Sequence, residues 1–98
     1  MAKYDIVSSG SFRKDLKLAK RRGLPLKDFY DVVTMLAEDQ PLPFNLRNHL
    51  LSGDYKGYWE CHINLDWLLL YEKDTEIRII SLYRTGTHSD LFEKGRKR

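Results

Sequence analysis

The chain holds three histidines, His49, His62 and His88, and residues able to work with them lie close by in sequence. His62 is followed four residues later by Asp66 and then by Trp67. His88 closes the run Tyr83-Arg84-Thr85-Gly86-Thr87-His88, with Phe92 four residues further on. Free imidazole titrates near pH 6.5, so it gives or takes a proton at neutral pH. A carboxylate beside it fixes the tautomer and favours the charged form. A tight reversal at Asn64-Leu65 would bring His62 and Asp66 together, which makes them a candidate acid–base unit; the bland alternative is a surface pair on a turn. His88 falls in a loop beyond the last strand, and loops held by a rigid sheet often carry function. Arg84 can clamp a phosphate with its planar fork, or simply form an ion pair at a strand end. Trp67 and Phe92 can stack on unpaired bases, although a strand tryptophan is more often core. Taken together, these residue types suit proton transfer at an RNA phosphate.

Three imidazoles also suit zinc with one open position. No His-x-His or His-x-x-x-His pair fixes two ligands on one element, so the spacing argues against a metal, and no cofactor is expected.

The elements that must position these residues can be read from periodicity. Lys3 to Ser8 alternates as a short strand. Ser9 or Ser11 can cap a helix whose buried stripe is Phe12, Leu16 and Ala19, and Gly23 ends it. Pro25 opens a second helix with Leu26, Phe29, Val33 and Leu36 facing inward and Tyr30 and Ala37 alongside. The segment Asp39-Gln40-Pro41-Leu42-Pro43 stops that helix. Leu50-Leu51 is a brief strand; Gly57 to Ile63 alternates, with Tyr58, Glu60 and His62 on one face. Trp67 to Tyr71 is a continuous apolar strand of the kind found mid-sheet. Lys73-Asp74-Thr75 turns, Glu76 to Tyr83 forms the last strand, and Ser89 to Lys94 can make a short terminal helix. The expected fold is α+β: two N-terminal helices on one face of a small, mostly antiparallel sheet of four to five strands, with a short C-terminal helix.

Composition limits the function classes. A 98-residue chain that is 42% hydrophobic builds one modest core and one domain, here residues 1–93, with 94–98 as a basic, flexible tail. One cysteine, Cys61, leaves no intrachain disulfide, which fits a reducing compartment. The N-terminus carries no secretory signal pattern, and the longest apolar run is too short for a bilayer. A cytoplasmic protein without membrane partners is expected. Net charge is only +3, but Arg13, Lys14, Lys17, Lys20, Arg21 and Arg22 cluster against one Asp15. Such a stripe either favours a polyanion or is a solvated helix face.

The run from His49 to Tyr58, then His62, Asp66-Trp67 and Arg84-Thr85-Gly86-Thr87-His88-x-x-Leu91-Phe92, resembles the YafQ-like toxins of the RelE/ParE superfamily. The likeness extends nearly end to end and includes Ser11 to Ala19. It implies the RelE-like ribonuclease fold and a metal-free, ribosome-dependent endonuclease that cuts messenger RNA in the A site, leaving a 2′,3′-cyclic phosphate. It also implies His49, His62, Asp66 and His88 as catalytic residues, with Trp67, Arg84 and Phe92 placing the RNA. His88 is the expected general acid, the His62–Asp66 unit the base, and His49 a phosphate contact. The implied partners are a DinJ-like antitoxin, the ribosome with its RNA and messenger, and operator DNA only through the antitoxin. The tail Lys94 to Arg98 departs from the family's pattern. Two other readings stand beside this one: a ParE-like ligand of DNA gyrase, which would lack the histidine set, and a catalytically dead RNA-binding module.

Overall fold

The computed structural model of the chain describes residues 2–92; the basic tail 94–98 lies outside them. Its strands are β1 (Asp5–Ser8), β2 (His49–Leu50), β3 (Trp59–Asn64), β4 (Trp67–Asp74) and β5 (Ile79–Gly86). Helices α1 (Gly10–Arg21) and α2 (Leu26–Ala37) follow β1, and α3 (His88–Phe92) follows β5. The five strands form one sheet in the order β1-β5-β4-β3-β2. Only the β1–β5 pair is parallel; the other three pairs are antiparallel. This is the α+β arrangement the sequence predicts.

The helices start and stop for local reasons. Ser9 caps α1, its hydroxyl accepting from the Phe12 N–H at 2.9 Å. The same hydroxyl donates to the Tyr83 carbonyl at 2.9 Å, fastening the start of α1 to β5. Gly23, with φ of +76°, turns the chain out of the helix. Phe12 and Ala19 of α1 and Phe29, Val32 and Leu36 of α2 are buried against one face of the sheet. Val32 is buried where the expected stripe uses Val33, which is only partly buried, and Tyr30, expected alongside, lies half out in solvent.

Strand β4 explains its unbroken apolar run, because both of its faces are covered. Trp67, Leu69 and Tyr71 join the core under the helices, with Cys61 and Ile63 of β3 and Ile80 and Leu82 of β5. Leu68 and Leu70 point to the opposite face, where Leu91 buries against them and Leu51, Tyr55, Tyr83 and Phe92 pack alongside. This second cluster covers only part of its face. The uncovered remainder is where the histidines lie.

Several boundaries differ from the sequence reading. β2 begins at His49 rather than Leu50, the β3–β4 turn is Leu65-Asp66, and β5 begins at Ile79 rather than Glu76. The last shift comes from Asp74, whose carboxylate accepts from the Glu76 and Ile77 N–H groups and winds residues 75–78 into the turn. Among the described residues no helix is long and apolar enough to cross a membrane.

Candidate active site

The site is built on β3. Side chains two apart in a strand share a face, so Glu60 and His62 both project away from the helices. β2 pairs antiparallel with β3 so that His49 stands opposite Glu60. The result is one carboxylate between two imidazoles: Glu60 Oε1 lies 3.3 Å from His49 Nε2 and 3.7 Å from His62 Nε2. The Glu60 side chain is only 7% exposed, so solvent screens this charge little. His49 is oriented at its other nitrogen, where Nδ1 lies 2.7 Å from the Arg47 carbonyl. A carbonyl only accepts, so Nδ1 carries the proton of that bond. Arg47 reaches this position through left-handed backbone, with φ of 49°.

His88 approaches from the other end of the sheet, as the first residue of α3. Asp66 in the β3–β4 turn receives it twice, from its backbone N–H at 3.1 Å and from ring Nδ1 at 2.8 Å. These two hydrogen bonds hold the Asp66 carboxyl below the usual carboxylate range. Because the carboxylate only accepts, Nδ1 of His88 is protonated and Nε2 is left for another partner. The His88 and His62 rings sit edge to face, with centroids 5.8 Å apart. Phe92, one turn further along α3, lies 6.1 Å from the His88 ring. His49, His62 and His88 therefore gather on one face: Glu60 joins the first two, Asp66 holds the third, and the His62 and His88 rings meet.

Three expectations need correction. Asp66 pairs with His88, not with His62, because the turn places its carboxylate under the start of α3. Trp67 does not offer a face for a base to stack on: it is 2% exposed, lies under the helices and stacks on Phe29 at 6.2 Å. Its indole N–H has no hydrogen-bond partner among the described residues. The Arg84 fork is occupied by Asp15 of α1, Nε to Oδ2 at 2.6 Å and Nη2 to Oδ1 at 3.2 Å. Asp15 Oδ2 also accepts the Thr85 N–H at 3.1 Å, so the pair is a strut between α1 and β5. Glu60 is the residue that the sequence reading passed over. Its strand alternation with His62 was the available signal.

Among the described residues no group of three His, Cys, Asp or Glu side chains is placed to hold a metal ion. Chemically, the patch can hold two imidazoles in different settings over one small substrate group, one backed by a buried carboxylate and one by an exposed one.

Comparison with known proteins places this arrangement in a family. The family model described as the bacterial toxin of type II toxin-antitoxin system, YafQ, matches residues 4–93. The chain belongs to the YafQ toxin family. It is 39% identical over 93 residues to the Escherichia coli K12 protein named mRNA interferase toxin YafQ, covering 94% of this chain and 99% of that one. The YafQ chain in the crystal structure of the E. coli DinJ–YafQ toxin–antitoxin complex superposes with a TM-score of 0.83 at 36% identity, covering 92% of this chain and 98% of that one. A metal-bound toxin from Helicobacter pylori superposes with a TM-score of 0.84 at 40% identity, covering 94% of this chain and all of that one. The YafQ family in turn places the chain in the RelE/ParE superfamily, in agreement with the resemblance read from its motifs.

Proposed function

We propose that this YafQ-family chain is the toxin of a type II pair and acts as a messenger RNA endonuclease on the ribosome, using its own histidines as acid and base. The observation that carries the reading is the approach of His62 and His88 to 5.8 Å over an open face, each attended by a separate carboxylate. The name of the E. coli relative, mRNA interferase, supplies the substrate class.

In this reading His62 draws the proton from the ribose 2′-hydroxyl. The 2′-oxygen then bonds to phosphorus, the bond from phosphorus to the 5′-oxygen breaks, and His88 hands its Nε2 proton to that oxygen. Asp66 holds the ring in one orientation through Nδ1, which leaves Nε2 to face the leaving oxygen. His49 keeps Nδ1 on the Arg47 carbonyl and contacts the phosphate when its Nε2 turns from Glu60 to the substrate. An acid and a base so placed each contribute on the order of 10²–10⁴-fold. The products are a 2′,3′-cyclic phosphate and a free 5′-hydroxyl. The E. coli DinJ–YafQ toxin–antitoxin complex supports a DinJ-like antitoxin as the partner that neutralises this chain.

A substrate with a 5′-thio leaving group separates the roles, since sulfur departs without an acid. Cleavage by His88→Ala should recover on that substrate, and cleavage by His62→Ala should not. Recovery of His62→Ala alone would reverse the assignment. Failure of the unaltered protein to cut translated messenger, read by primer extension, would sink the endonuclease reading altogether.

A further inference from the structure

The helix that presents His88 is too short to hold itself in place. The described part of α3 is five residues, and isolated helices of that length do not persist in water. Its position therefore comes from what it touches. At one end Leu91 and Phe92 sink into the small apolar cluster. At the other, Asp90 and Thr87 cap the helix reciprocally: Asp90 Oδ2 accepts the Thr87 N–H at 3.0 Å, and Thr87 Oγ1 accepts the Asp90 N–H at 3.1 Å. The same Asp90 carboxylate is gripped from the C-terminal cap of α1 by Arg22, Nη1 to Oδ2 at 2.8 Å and Nη2 to Oδ1 at 3.4 Å. Gly86 leaves room for this grip, since a Cβ there would come within 2.9 Å of Asp90 Cβ and Oδ2.

We propose that Arg22 is a positioning residue for His88, acting through Asp90 across the α1–α3 junction. The Arg22 side chain is 41% exposed, so solvent screens part of the attraction, while the two-point geometry of the pair still fixes where Asp90 sits. The pair adds a fixed point to the two bonds from His88 to exposed Asp66, which alone leave the first turn of this short helix free to shift about Leu91 and Phe92. A pivot moves His88 relative to Asp66 and His62. Displacement of a reacting group by about 1 Å can cost on the order of 10²-fold in rate.

The proposal rests on the reading of His88 as proton donor, so two readouts are needed. The first is independent of RNA. Ring-nitrogen chemical shifts of His88, measured by NMR on the full chain, report its bond to Asp66. They should move in Arg22→Gln and Asp90→Asn, return toward the original in Arg22→Lys, and move again in Gly86→Ala, while the His49 signals stay in place. The second is cleavage of translated messenger. Arg22→Gln and Asp90→Asn should each lower kcat about tenfold with KM nearly unchanged, and the double variant should lose no more than either alone. If Arg22 instead serves the basic stripe as a polyanion contact, Arg22→Gln raises KM and Asp90→Asn is silent, which overturns the proposal. Unmoved His88 signals in folded Arg22→Gln overturn it as well. Moved signals in a protein that never cuts RNA leave the positioning intact and discard the endonuclease reading.

Discussion

Glu60 is a single carboxylate facing two imidazoles, and its value to the site can be measured directly. Glu60→Gln keeps the shape and removes the charge, so His49 and His62 lose the group that orients them. We expect cleavage to fall on the order of tenfold, less than loss of the base itself. A variant that cuts at the unaltered rate would reduce Glu60 to a passive filler. Trp67 gives the opposite prediction. It is buried against Phe29, so Trp67→Ala should lower stability by roughly 3–5 kcal/mol, read as a shifted urea midpoint. Unchanged stability with lost cleavage would restore a direct role on RNA. At this scale the sequence reading singled out three imidazoles that the fold brings to one face, and it misassigned their partners. Asp66 was matched to His62 because a reversal at Asn64-Leu65 would fold the two together. A strand, however, joins positions two apart on one face, and that rule favours Glu60.

Elements were easier to read than the contacts between them. The start of α1 at Ser9 and its end at Gly23 follow from local chemistry, and both are seen. α3 begins one residue earlier than its sequence pattern suggested, because the Thr87–Asp90 cap places His88 inside the helix. That junction has a pH signature. Asp90 is held at about 2 against an ordinary 3.8, chiefly by the hydrogen bond from Arg22. A depressed carboxyl stabilises the fold fully above its unfolded value and loses that contribution as pH falls through its folded value. The stability advantage of the natural chain over Asp90→Asn should therefore be constant above about pH 5 and shrink between about pH 4 and 2. Urea midpoints at pH 6, 4 and 2.5 check this; a gap that stays constant would show that the clamp holds no charge. Asp66, also depressed, acts with the same sign.

Across the whole molecule, the division of the sheet into a covered and an open face decides what reagents can reach. Cys61 lies on the covered face, fully buried, and burial pushes its thiol up to about 12. It should resist alkylation in the native protein and react only on unfolding, so mass spectrometry after mild alkylation should find one unmodified thiol. Fold class was legible because hydrophobic periodicity differs between helix and strand. The parallel pairing of β1 was not, since nothing local in Asp5–Ser8 names a partner so distant in the chain. The contact from Ser9 to the Tyr83 carbonyl spans 74 positions. Closing so long a loop is entropically costly and slow compared with forming the adjacent β3–β4 hairpin. A nascent chain that has not yet emerged as far as Ile79–Gly86 thus has no docking edge for its first strand, and it lacks His88 as well. Docking of β1 and arrival of His88 consequently depend on one stretch of chain, so a fragment lacking residues 79–92 should lose the parallel edge and the histidine cluster together.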